Sequence, residues 1–211
     1  MAGAIDFYFD FSSPYGYLAA EMIEALGQRV NRAVNWHPIL LGVVFKATGG
    51  QPLTMAPMKG PYSENDFRRS AAFYGVPYNA PSVFPIATHN PARAVVWMQE
   101  KHPAHAKKFT LELYRAFFRG DRDISKLDVI GDIAAGLGYS ADEVVAATQS
   151  DDIKGKLKAN VEAAIAQGIF GSPFFIVDGE QFWGSDRSIP KAKRVRRIGQ
   201  KPPRSIGIWP R

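Results

Sequence analysis

Three stretches of this 211-residue sequence place hydroxyl and carboxyl side chains where elements begin. The first is Ser12-Ser13-Pro14-Tyr15-Gly16. Serine suits a helix N-cap and proline the first turn, so a helix opens here. The unpaired N–H groups and macrodipole of such a start favour an anion, a thiolate or a carboxylate, to which a serine hydroxyl can donate. The plainer use of Ser12 or Ser13 is to cap that helix. The second stretch, Gly168-Ile169-Phe170-Gly171-Ser172-Pro173, runs into apolar Phe174-Phe175-Ile176. Proline at a strand's first residue leaves both a simple strand entry and a cis Ser172–Pro173 bond open. The third, Phe182-Trp183-Gly184-Ser185-Asp186-Arg187, offers Ser185 and Asp186 either as caps of a last helix or as acceptors for a ligand ammonium group.

Cysteine is absent. Structural disulfides, Cys-ligated zinc, iron–sulfur clusters and protein-thiol mechanisms are thereby excluded, and thiol chemistry would need a borrowed thiol. His102-Pro103-Ala104-His105 has ligand-like spacing, yet Pro103 interrupts the helix and no acidic third ligand accompanies it. No metal site is expected. Gly-rich phosphate or dinucleotide loops and a Gly-x-Ser-x-Gly elbow are missing too, which disfavours nucleotide cofactors and a hydrolase triad.

The elements that must carry these stretches can be read from periodicity. Ile5 to Phe11 alternates Ile5, Phe7, Phe9 and Phe11 against Asp6, Tyr8 and Asp10, the period of a strand. A helix follows with Leu18, Met22, Leu26 and Val30 as its stripe, then a second strand over Val34 to Leu41, with Pro38 marking an edge or bulge. Gly42 to about Pro91 reads as irregular with one short helix near Glu64–Tyr74. From Asn90 to Gly168 the pattern is helical. Pro103 interrupts it, Ser125 opens a helix closing near Gly138, Ser140 and Glu143 form a capping-box signature, and Ser150 starts a helix bearing Ile153, Leu157, Val161 and Ile165. Strands return at Pro173–Val177 and Gln181–Trp183 around the hairpin signal Asp178-Gly179. The expected fold class is α/β, a thioredoxin-like sheet with a large inserted all-helical subdomain. Residues 1–41 and 168–190 would form a discontinuous thioredoxin-like domain, 42–167 the loop and helical insertion, and 191–211 an atypical basic tail.

Asp6-Phe7-Tyr8-Phe9-Asp10-Phe11-Ser12-Ser13-Pro14-Tyr15 at one end, Lys59-Gly60-x-Tyr62 in the middle and Gly168 to Arg187 at the other resemble the 2-hydroxychromene-2-carboxylate isomerase family. Kappa-class glutathione transferases are its near relatives. The resemblance spans about residues 4–187. It implies glutathione as cofactor and gives each matching residue a role. Ser13 matches the catalytic serine facing the glutathione sulfur, and Gly16 takes the place of a redox partner cysteine, so dithiol chemistry is excluded. Ser172 and Pro173 match the cis-proline loop whose main chain pairs with the cysteinyl backbone. Ser185 and Asp186 match residues holding the γ-glutamyl end, and Lys59 a lysine on the glycyl carboxylate. Where many relatives carry Asn after a glycine, this chain reads Gly49-Gly50, and that side-chain contact is lost. Phe11, Tyr15, Phe84 and Trp183 are candidate walls for a small aromatic substrate, although each also suits ordinary core.

The reaction implied is glutathione-dependent isomerisation of hydroxychromene carboxylates. A kappa-like transferase or peroxidase is an alternative, and a non-catalytic thioredoxin-like binding module another. Relatives suggest a homodimer. No apolar run reaches membrane-spanning length and no signal pattern precedes residue 5, so a cytoplasmic location is expected, without a membrane partner. The net charge of +6 would suit a nucleic-acid partner, but eight Lys/Arg and no acid lie in residues 188–211. Removing those eight leaves 18 bases against 20 acids, a nearly neutral body for which no nucleic-acid partner is expected. The Lys/Arg-rich end lacks the apolar stripe of a closing helix, as if altered or frame-shifted.

Overall fold

The computed structural model describes residues 3–188. Strand β1 (Ile5–Phe9) occupies the interior of a four-stranded sheet of order β2-β1-β3-β4. β2 (Val34–Pro38) runs parallel to it, with Ile5 opposite Val34, and β3 (Phe174–Val177) antiparallel, with Ile5 opposite Val177. β4 (Glu180–Trp183) closes an antiparallel hairpin through Asp178 and Gly179, both at positive φ. That is the backbone a two-residue Asp-Gly turn requires. The parallel β1–β2 pair needs a crossover, and helix α1 (Pro14–Val30) supplies it.

Helix α1 packs against the sheet, and a run of helices returns the chain from β2 to β3. That run comprises α2 (Leu41–Thr48), a single 3₁₀ turn at Leu53–Met55, α3 (Lys59–Tyr74), α4 (His89–Lys101), α5 (Pro103–Phe118), α6 (Leu127–Gly136), α7 (Ala141–Gln149) and α8 (Asp151–Ala166). A last turn, α9 (Ser185–Ser188), follows β4. Aromatic side chains form the core: Phe7 stacks on Phe175 at 5.3 Å and meets Trp36 edge-on at 5.0 Å, while Tyr114 and Phe118 of α5 join Tyr17 of α1.

Several boundaries differ from the periodicity reading. The second strand stops at Pro38 rather than Leu41, and Leu41 instead begins α2, a helix hidden in the stretch read as irregular. α3 starts at Lys59 rather than near Glu64, because Pro61 falls in its first turn, where a missing N–H costs nothing. Ser125 caps no helix: it bonds Asp123 Oδ1 through both N–H and hydroxyl, and α6 begins at Leu127. Ser140 and Ser150 do cap α7 and α8, accepting from Glu143 N and Ile153 N. Among the described residues no helix is long and apolar enough to cross a membrane. The basic tail, including the missing closing helix expected there, lies outside the described residues beyond 188.

Candidate active site

α1 starts one residue after the capping serine. Ser13 Oγ accepts from Gly16 N at 3.0 Å and donates to the Ser172 carbonyl at 2.8 Å, so one hydroxyl both caps the helix and ties it to the loop before β3. The Ser172–Pro173 peptide is cis, as is Phe84–Pro85. Ser172 Oγ accepts from Asp10 N at 3.0 Å, and the Asp10 carbonyl accepts from the buried Tyr114 hydroxyl at 2.8 Å.

The Asp10 carboxylate is the hub of this region and is 1% exposed. Its Oδ1 accepts from Ser12 N and Ser12 Oγ, both at 2.6 Å, and its Oδ2 from Leu41 N at 2.6 Å and Thr88 Oγ1 at 3.2 Å. The bond from Leu41 explains why α2 needs no serine of its own: a residue 31 positions away in sequence satisfies its first N–H. Burial pushes the Asp10 carboxyl above the usual carboxylate range, with the hydrogen bonds from Ser12, Leu41 and Thr88 acting against it.

Around these groups opens a cavity of about 940 Å³. Ser13, Lys59, Ser172, Pro173, Ser185 and Asp186 all line it. So do Tyr15, Phe84 and Trp183 of the four aromatic wall candidates. Phe11 does not. With β1 ending at Phe9, Phe11 turns inward at 1% exposure and packs on Phe9 at 5.6 Å and Tyr114 at 4.7 Å, so it is core rather than wall. Tyr62 is exposed beneath the Arg69 guanidinium and is absent from the lining.

Other lining residues are Asp10, Ser12 and Arg187, which lie inside the motifs read from the sequence without a role in the pocket, and Gln51, Asp66 and His89, which carried no sequence signal. Gln51 directly follows Gly50. Asp66 accepts from the Tyr15 hydroxyl at 2.5 Å; burial and this carboxylate together push the Tyr15 pKa up, so the phenol stays neutral. Burial, reinforced by Arg93, pushes the His89 pKa down. The residues His102 and His105 both turn to Tyr139, His102 through its ring and His105 through a hydrogen bond. Among the described residues no three His, Asp or Glu side chains gather as metal ligands.

Residues 4–191 match the family model of the DSBA-like thioredoxin domain. The chain belongs to that family. This DSBA-like chain is 29% identical over 189 residues to a 2-hydroxychromene-2-carboxylate isomerase of Sphingobium xenophagum, covering 89% of this chain and 95% of the relative. It is 27% identical to glutathione S-transferase kappa 1 of Rattus norvegicus, covering 87% and 86% respectively. A solved 2-hydroxychromene-2-carboxylate isomerase superimposes with a TM-score of 0.79 at 24% identity, over 87% of this chain and 90% of that one. A thioredoxin-like sheet with a helical insertion is therefore the fold of this DSBA-like domain.

Proposed function

We propose that the protein is a glutathione-dependent isomerase of 2-hydroxychromene-2-carboxylate-type aromatic compounds. The observation that carries the reading is one cavity lined by Ser13 at a helix start, the cis-Pro173 loop, Lys59 and the Ser185-Asp186 pair, in a chain without cysteine. A zwitterionic tripeptide thiol requires cations for its carboxylates, an acid for its ammonium group, main chain for its amides and a donor at its sulfur. The lining fits that set with Lys59 and Arg187, Asp186, Ser172, and the α1 start with Ser13.

When bound, the thiol supplies a sulfur nucleophile that adds reversibly to an electrophilic carbon and is regenerated. The protein's part is to hold and polarise. A peptide N–H arriving at the Ser172 carbonyl competes with the Ser13 hydroxyl, which then turns its proton to the sulfur. That donor and the helix N-terminus together draw the thiol pKa from about 8.5 toward neutrality. Tyr15, Phe84 and Trp183 give the aryl group flat apolar walls.

The kappa-named relatives favour a second reading, conjugation of glutathione to an electrophile or peroxide reduction, through the same residues. Turnover with glutathione quantified before and after separates the two. Isomerisation without net loss of glutathione is the expected result, and stoichiometric loss would replace the isomerase by the transferase. Ser13→Ala should lower turnover at least about tenfold, the scale of one lost charge-assisted hydrogen bond. It also removes a helix cap, worth about 1 kcal/mol, so its melting temperature is measured alongside. Assembly as a homodimer and a cytoplasmic location belong to the same proposal; sedimentation velocity tests the first and cell fractionation the second.

A further inference from the structure

Two adjacent serines line the cavity, and their protons point in different directions. The Ser13 hydroxyl donates to the Ser172 carbonyl. The Ser12 hydroxyl donates to Asp10 Oδ1 at 2.6 Å, and no other protein group among the described residues bonds Ser12 Oγ. Its lone pairs are left for a cavity occupant, since Ser12 is only half-buried. Of the other carboxylates in the wall, Asp66 is committed to Tyr15 and Arg69, and Asp186 is the group already assigned to the ligand ammonium. Among the described residues no basic side chain bonds Asp10; its donors are the N–H groups of Ser12 and Leu41 and the hydroxyls of Ser12 and Thr88. A buried carboxylate held by neutral donors accepts a proton more readily than one paired with a cation.

We propose that Ser12 and Asp10 form a proton relay, in which Ser12 Oγ accepts the proton of a bound thiol while its own proton passes to Asp10 Oδ1. The S–H bond breaks and an Oγ–H bond forms; the old Oγ–H bond breaks and an Oδ1–H bond forms. The negative charge moves from the carboxylate to the sulfur, with no oxidation or reduction. The raised pKa of Asp10 agrees with this acceptor role. Other titratable groups near the pair are the Tyr114 phenol of α5, on the Asp10 carbonyl, and Lys59 and His89, which line the cavity without a bond to either residue. The relay rests on the reading of the site as a glutathione site. It adds a catalytic role for Ser12, distinct from Ser13, which holds the sulfur in place.

The test measures bound glutathione directly. Calorimetric titration gives its affinity at neutral pH, and the near-ultraviolet absorbance of the thiolate gives its ionised fraction in the complex. Ser12→Ala leaves the three remaining donors on Asp10 in place, whereas Asp10→Asn disturbs all of them, so Ser12→Ala is the decisive variant. Expected are affinity within about threefold of the parent and a thiolate fraction reduced severalfold, though still above that of the free thiol because Ser13 and the α1 start remain. Ser12→Thr, which restores a hydroxyl, should recover the parent fraction. An unchanged thiolate fraction in Ser12→Ala overturns the relay and leaves the glutathione site standing. If the unmutated protein binds no glutathione at millimolar concentration, both the site reading and the relay fall.

Discussion

Ser13 shows how one side chain serves stability and chemistry at once. As N-cap it answers Gly16 N, and as donor it answers Ser172, so any loss of activity on removing it has a structural share. Arg32 and Asp178 offer a cleaner case at the opposite end of the sheet. Their two parallel bonds, 2.8 and 2.6 Å, join the end of α1 to the hairpin turn, and Arg32 also donates to the Gly3 carbonyl. The guanidinium holds the Asp178 carboxyl below the usual carboxylate range. A lowered folded pKa means stability present above the ordinary aspartate value of about 4 and lost as pH falls through the folded value. Asp178→Asn keeps a residue suited to positive φ and removes only the charge. Melting curves should show the variant slightly less stable at neutral pH and equal to the parent in strong acid. A gap that persists unchanged into acid would mean the pair contributes nothing electrostatic.

At the level of elements, the decisive joint is α1 against the cis-Pro loop. A Cβ on Gly16 would lie 2.8 Å from Ser172 Oγ and 2.9 Å from the Tyr114 hydroxyl. Both oxygens are pinned by bonds to Asp10, so neither can retreat. Alanine in a helix interior normally gains about 1 kcal/mol over glycine, but overpacking costs about 1–3 kcal/mol. Gly16→Ala should therefore melt lower than the parent and bind glutathione more weakly; equal or greater stability would show that the joint is slack. The sequence made this element order legible where the signal was local: period two in β1, serine before proline at α1, Asp-Gly in the hairpin. It hid α2, whose first N–H is met by Asp10 across the fold, and it misassigned Ser125, whose hydroxyl closes a turn on Asp123 instead. Phe11, for which wall and core were both open, is core, packed with Phe9 on the face that the alternation gave it. Lys59 and Asp186 could be tied to the cavity only by resemblance, since no period links residues so far apart.

Over the whole molecule, α2, α3 and α4 bring their own residues into the cavity wall, whereas α5 acts on the site through Tyr114. Tyr114 is not among the lining residues, yet its hydroxyl holds the Asp10 carbonyl. Ser13 N also donates to that carbonyl, at 3.0 Å, so Tyr114→Phe leaves it partly satisfied and should cost about 1 kcal/mol. For a chain of this size that is a fall of about 2–4 °C in melting temperature, read by calorimetry. Glutathione affinity should fall with it, although no contact to the cavity is lost; unchanged affinity would show that α5 supports the fold without tuning the site. The Asp10 carboxylate carries a different kind of consequence. Because it serves the starts of α1 and α2 and the Thr88 turn before α4 together, no single neighbouring substitution restores what its loss removes. A drifting lineage can trade away a cap or an ion pair and recover it one change at a time, but position 10 offers no such stepwise route, and variation around this site has to be accommodated in the walls.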